Sequence, residues 1–425
     1  MIRAMSSALS GLRNHQTMLD VVGNDIANVS TVGFKSSTTI FSDVLTQTLQ
    51  GAAAPANGAG GTNPAQIGLG SRLVGTVQSF AQGAIQRTGR PTDLAVQGDG
   101  FFVVQGNGQQ LYTRAGSFTL DAAGNLTTQE GMLVQGWQAD NTGAIDANQA
   151  IGGVQIRVGE LQPPNQTELA ELGGNLSADS VLGDSFTITV TGNDSQGAVV
   201  PINLTYTKTG PDPLAVPPVV GDEWTTTATY TVGGTTSAVA LTDNVLTFDI
   251  NGELTAPADH NMNIAGGLIP GMPNAITFEL GAAGTPGRLT QYAGEATVGV
   301  KTQDGAAAGT LQSFNVSQSG MIVGSYSNGR SKAIGQVALA VFTNPEGLER
   351  IAGAWRETAN SGLAQVGTAG GGGRGLLSSG TLEMSNVDLA EEFTRLIIAQ
   401  RGFQGNARVI TTADEVLQEV VNLRR

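Results

Sequence analysis

Both ends of this chain carry an apolar stripe at helical spacing, and the long middle does not. Within residues 1–28, Ile2, Met5, Leu9, Leu12, Gln16, Leu19, Gly23 and Ile26 recur at alternating steps of three and four, the spacing of a two-helix seam. Val22 and Val29 widen the stripe. At about 1.5 Å per residue this predicts a helix about 40 Å long that wants a partner helix. At the other end Leu389, Leu396, Phe403, Ile410 and Leu417 recur every seven residues, broadened by Phe393, Ala399, Ala407, Ala413, Val420 and Val421. Ser385 is the expected N-cap, with Asp388 three residues on as its capping-box partner and Glu391 and Glu392 in the first turn. Arg424 and Arg425 set positive charge at the opposite end. A helix of about 38 residues would run about 57 Å, more than a small domain needs.

Between these ends the pattern changes twice. GAAAPANGAGGTNPAQIGLG (residues 51–70) has no periodicity and reads as a linker. Strand signals follow. GFFVVQG (Gly100–Gly106) is a short apolar run between glycines, and Leu111–Trp137 reads as strand, turn and strand around Gly124-Asn125. From about 150 to 290, Thr alternates with apolar residues on both sides of Asp194-Ser195-Gln196-Gly197, and LTFDINGELT repeats the form around Asn251-Gly252. GPDPLAVPPVVGDEW reads as a Pro-rich surface loop, and Ser313–Phe342 adds strands with turns at Ser319-Gly320 and Asn328-Gly329. The glycine run Gly370–Gly375 reads as a hinge.

The expected fold is therefore α+β: terminal helices paired as an antiparallel coiled coil, with hairpin-rich all-β domains inserted between them. The expected divisions are 1–30 plus 380–425 for the helical domain, 31–70 plus 363–379 for linkers, 71–150 plus 291–362 for an inner β domain and 151–290 for an outer one. Asn28–Gly33 is then the point where the first helix hands over to the insert.

Composition narrows the function. Gly supplies 60 of 425 residues, charged residues 13% and aromatics 5%, which suits short strands and turns better than a compact α/β enzyme. Against 35 acids stand 21 Lys and Arg, a net charge of −14. Such a surface repels phosphate backbones and argues against nucleic acid as a partner. The absence of Cys removes disulfides, thiolate chemistry and most structural zinc sites. The residues from Met1 to Gln16 lack the apolar core of a secretory signal, and no run approaches the roughly 20 apolar residues of a membrane span. His15 and His260 are the only histidines. Each reads as solvent-facing or locally bonded, and no G-x-S-x-G, H-x-x-x-H, EF-hand or phosphate loop accompanies them. No catalytic residue, cofactor or metal is expected. Two long apolar seams, separated from the β body by Gly-rich sequence, instead favour a subunit that associates with copies of itself.

At this point the residues carry a resemblance. Asn24–Lys35, NDIANVSTVGFK, resembles the N-terminal signature of the axial proteins of the bacterial flagellar rod and hook, with Asn24, Ile26, Ala27, Asn28, Gly33, Phe34 and Lys35 at its positions. Gly98–Trp137 is similar to the β domain these proteins share, and Phe314–Gly362 and Ser379–Arg424 are similar to the hook branch of the family. Residues 150–290 match loosely. The resemblance implies an extracellular structural protein exported by the flagellar type III apparatus without a cleaved signal. It implies many copies in a curved tube, the universal joint that passes motor torque to the filament. It further implies that the terminal helices line the channel and are disordered before assembly. Its neighbours would be a hook cap protein, the distal rod protein and the hook–filament junction protein. The residues expected to carry assembly are Met5, Leu9, Leu12, Leu19, Ile26, Leu389, Phe393, Leu396, Phe403, Ile410 and Leu417. Two rivals stand beside this reading. A distal rod subunit would share both ends, but is expected to be much shorter and to lack the 150–290 insertion. A secreted β-rich adhesin or glycan-binding module would have the composition, without a use for matched helical ends.

Overall fold

The computed structural model describes residues 2–52, 54, 60–140, 142–210, 222–281 and 287–422. The Pro-rich loop and the terminal Arg424 and Arg425 thus lie largely or wholly outside the described residues. The fold is mostly β with one helix at each end: α1 (Ile2–Ala27) and α2 (Leu389–Asn422).

The chain divides into two compact units. Met1–Arg157, Phe314–Gly324 and Lys332–Arg425 form the first, and Val158–Ser313 with Ser325–Ser331 the second. This division differs from the expected one at both edges of the outer domain. Residues 151–157 stay with the first unit because Val154 and Ile156 are buried and exchange backbone hydrogen bonds with Leu126 and Gly124. Residues 291–313 go to the second because Gly299–Gln303 pairs with Leu169–Ser177.

The second unit has a single core under two sheets. In the larger sheet, Ser185–Asn193, Val199–Gly210 and Glu223–Val232 run antiparallel. Strict alternation in Val199–Gly210 turns Val200, Ile202, Leu204 and Tyr206 inward and Asn203, Thr205 and Thr207 outward. The smaller sheet is not purely hairpin-built, since Leu169–Ser177 lies parallel to both Ile276–Glu279 and Leu289–Tyr292. Trp224, Phe248 and Phe278 fill the space between the sheets.

In the first unit, Phe101–Gly106 is central, pairing with Gln109–Thr113, Leu133–Gln138 and Leu339–Val341. Its core is aromatic. Phe101 meets Phe342 and Trp355 edge to face, with centroids 5.8 and 5.5 Å apart, geometry that adds to plain area burial.

Neither expected linker is structureless. The β-branched run after Ser36 forms Ser37–Asp43, which pairs with Ser71–Gln78, and Thr46–Gln50 pairs with Ala65–Gly68. The result is a two-stranded ribbon. It lies along α1: Asn14 Nδ2 donates to Ser71 Oγ at 2.8 Å, and Asp25 accepts from the Ser37 amide at 2.8 Å. The Gly370–Gly375 run, expected as a hinge, is a stitched loop. The Gly370 amide donates to the Gly375 carbonyl, the Gly375 amide to the Asp99 carbonyl, and Arg374 Nε to the Thr368 carbonyl.

Candidate assembly interface

The two terminal helices approach closely at small residues. Gly402 lies against the His15 ring and Gly11 against the Asn406 side chain. One contact partner advances as the other retreats, so the helices run antiparallel. A Cβ on Gly402 would stand 2.4 Å from His15 Nε2, closer than any packed carbon tolerates. His15, expected to be solvent-facing or locally bonded, is therefore a half-buried packing residue. The buried positions are Ala8, Val22 and Asp25 on α1 and Glu392, Ala399 and Ala413 on α2. On α1 each of these precedes the expected seam (Leu9, Gly23, Ile26) by one residue, a rotation of about 100° around the helix.

The bulky stripe is thereby left at the flanks and outside. Leu9, Leu389 and Phe393 are exposed. Met5, Leu12, Leu19, Ile26, Leu396, Phe403, Ile410 and Leu417 are half-buried. Ile397 and Ile398, which the sequence reading did not single out, are 50% and 56% exposed. A second apolar surface was missed altogether: Ile40, Val44, Leu45, Leu49, Ile67 and Val74 are exposed on the ribbon. Exposed apolar side chains thus lie on both the helix pair and the ribbon.

The motif Asn24–Lys35 anchors these elements to the β body. Asn28 Nδ2 donates back to the Asn24 carbonyl at 2.8 Å, satisfying a carbonyl in the last turn of α1. Ile26 is half-buried and Ala27 exposed. The chain then turns at Gly33, whose φ is +68°. A Cβ there would lie 2.5 Å from the Ala115 amide nitrogen. Phe34 is buried beneath the Arg350 guanidinium, 4.6 Å from the ring centroid.

Lys35 is fully buried, and its Nζ donates to Glu383 Oε1 at 2.7 Å and to the Ala81 carbonyl at 2.8 Å. The same Glu383 oxygen accepts from the Gly83 amide at 2.9 Å, and Oε2 receives Arg114 Nη1 at 3.4 Å. The Gly33 amide donates to the Glu383 carbonyl at 2.8 Å. Burial pushes the Lys35 ammonium and the Arg114 guanidinium below their ordinary pKa values, and Glu383 opposes the shift in both. Asn386 completes the clasp, accepting from the Ser36 amide and donating to the Ser79 carbonyl, each at 2.8 Å. The start of α2 lies just beyond. Asp388 and not Ser385 is its N-cap, since Asp388 Oδ1 accepts from the amides of Ala390 and Glu391 at 2.8 and 3.3 Å. Among the described residues, Ser385 bonds only the Val387 amide before the helix begins.

Gly33→Ala is expected to destabilise the first unit by more than the roughly 1–2 kcal/mol of left-handed backbone alone, because the methyl also meets main-chain atoms. A urea midpoint unchanged from the parent would contradict this.

Four family models match the chain. Residues 5–35 match "Flagella basal body rod protein", 95–170 "Flagellar hook protein FlgE/F/G D1 domain", 178–306 "Flagellar basal body protein FlaE D2 domain" and 378–423 "Flagellar basal body rod FlgEFG protein C-terminal". The flagellar hook protein FlgE of Treponema pallidum (strain Nichols) is 36% identical over 100% of both chains. The chain belongs to the flagellar hook protein family.

Within that family, the hook protein FlgE of Escherichia coli (strain K12) is also 36% identical, over 99% of this chain and 100% of that one. The basal-body rod protein FlgG of Bacillus subtilis (strain 168) is 31% identical over 100% of both. A relative named for the rod thus spans the whole length, including 150–290, so the insertion does not separate rod from hook as expected. The crystal structure of Helicobacter pylori flagellar hook protein FlgE2 superposes with a TM-score of 0.56 at 14% identity, covering 70% of this chain and 100% of that one, and shares the fold. Both arms of the clasp, Lys35 and Glu383, fall inside the matched terminal segments.

Proposed function

We propose that this chain is the repeating structural subunit of the bacterial flagellar hook. Copies polymerise into a curved tube that passes torque from rod to filament and encloses the export channel. The observation that carries this reading is whole-length identity to proteins named as hook subunits. The packing supports it. Small residues bring α1 and α2 together as an antiparallel coiled coil, and the large apolar side chains on their flanks are left for neighbouring copies. The helix pair forms the tube's inner wall, the ribbon bridges adjacent subunits, and the β units form its outer layers. Folding of the helix pair is completed by assembly, because its apolar flanks gain a core only from neighbours.

The subunit's partners are other copies of itself, a hook cap protein, the distal rod protein and the hook–filament junction protein. Export runs through the flagellar type III apparatus without a cleaved signal, to an extracellular location. The role is structural, with no cofactor, no nucleic acid and no membrane insertion. Among the described residues no helix is long and apolar enough to cross a membrane.

The rod reading keeps one observation in its favour, the whole-length match to a rod protein. Negative-stain electron microscopy of tubes grown from the purified chain separates the two. Curved tubes are expected, and straight rigid tubes would move the chain to the rod.

A further inference from the structure

Where α1 ends, α2 begins and the ribbon starts, two carboxylates are buried in one joint. Asp25 is fully buried; its Oδ2 accepts from the Ser37 amide at 2.8 Å, and its Oδ1 has no hydrogen-bond partner among the described residues. Glu392 is 3% exposed; its Oε1 receives Arg395 Nη1 at 3.0 Å, and its Oε2 is likewise without a partner. Arg395 Nη1 also donates to Thr38 Oγ1 at 3.1 Å. The two carboxylates are therefore tied to consecutive residues, Ser37 and Thr38, at the start of one strand.

The charged groups facing this joint come from three elements. Asp25 is on α1, Glu391, Glu392 and Arg395 are on α2, and Asp388 is its N-cap. Arg350 comes from the strand Glu349–Ile351. Four carboxylates thus face two guanidinium groups. Asp388 and Glu391 are exposed and already engaged, one capping the helix and the other paired with Arg395. The unpartnered oxygens of Asp25 and Glu392 are closed to solvent. Protonation removes the charge from a buried, unpartnered carboxyl and with it the cost of desolvating that charge.

We infer that Asp25 and Glu392 form a proton-binding pair, and that the joint between the two helices and the ribbon tightens when the pair takes up one proton. The electrostatics agree. Burial raises the pKa of both groups, and Asp25 raises that of Glu392 further. A carboxyl whose folded pKa lies above its unfolded value binds a proton more tightly when folded. Folding is thus penalised while the pair is ionised. The penalty is relieved as pH falls through the raised folded pKa toward the ordinary carboxylate value near about 4. This is the reverse of the acid lability that salt-bridged carboxylates confer.

The test compares the full chain with Glu392→Gln, whose amide imitates the protonated carboxyl, and with Asp25→Asn. Glu392→Gln is expected to raise the melting midpoint at about pH 8, and the gain should vanish near about pH 5, where the parent holds its own proton. A difference that stays constant across that range, or a loss at every pH, would overturn the inference. Asp25→Asn is the second test, and it should likewise remove the parent's rise in midpoint on acidification. Should either variant fail to fold, carboxyl-labelled parent chain decides by NMR. A carboxyl transition above the ordinary range supports the pair, and all carboxyls titrating in the ordinary range excludes it.

Discussion

Glu383→Ala is expected to release the terminal helices from the β body well below the temperature at which the β units melt. The substitution leaves Lys35 and Arg114 buried with no counter-charge. Breaking one side of a buried ionic cluster costs about 3–5 kcal/mol, because desolvated charges remain uncompensated. That approaches the whole stability of a typical domain, about 5–15 kcal/mol. It also removes the acceptor of the Gly83 amide. Circular dichroism followed through a thermal ramp should split, with helical signal lost first. The companion replacement of Lys35, Glu383 and Arg114 together by Met, Leu and Met is expected to restore much of the loss, since an apolar cluster carries no buried charge. A single cooperative transition at the parent midpoint for Glu383→Ala would contradict the clasp.

Ile398→Lys is expected to leave the monomer folded and to suppress tube growth. The position is 56% exposed in the single chain, so the charge costs little there. If a neighbour covers it, the substitution forfeits the roughly 1.5–3 kcal/mol of a buried aliphatic side chain and adds the cost of desolvating an ammonium. At about 1.4 kcal/mol per tenfold change, the concentration needed for polymerisation should rise at least roughly 10–100-fold. Phe393→Lys should act alike, and Leu396→Lys or Phe403→Lys should also disturb the pair because those side chains are half-buried. Sedimentation of chains at rising concentration reads this directly, and normal polymer yield from Ile398→Lys would remove the helix flank from the interface.

The helices and hairpins were legible because they rest on local signals. Three- and four-residue spacing announces a helix whichever face it packs with, and Asp194–Gly197 and Asn251-Gly252 sit in the turns their chemistry demands. Facing was not legible. The stripe of large apolar residues was read as the seam, yet Ala8, Gly11, Ala399 and Gly402 allow a closer approach than Leu9 or Leu396 permits. Small residues carry little hydrophobic weight, so Ala399 and Ala413 were read only as broadening the stripe, and Ala8, Gly11 and Gly402 were not singled out. The cap moved from Ser385 to Asp388 because both residues satisfy the same local rule, and Asn386 is drawn instead into the contact with Ser36. Composition misled at residues 370–375, where Gly signals freedom in sequence but here permits close main-chain contact, as at Gly375 against Gln97. Above all, Lys35 and Glu383 are separated by 348 positions. Lys35 stands out in the N-terminal motif, but nothing in the sequence marks Glu383 as its partner, and only the fold brings them together. The Asp25–Glu392 pair was hidden for the same reason.

The most direct test of the central claim uses the absence of Cys. A single Phe393→Cys substitution gives one thiol, on the outward flank of α2, whose maleimide labelling can be timed before and after tube formation. The account predicts rapid labelling of the free chain and strong protection in the tube, because neighbouring copies cover that flank. Equal labelling in both states would mean that the terminal helices do not join the copies together, and the assembly role assigned to them would fall.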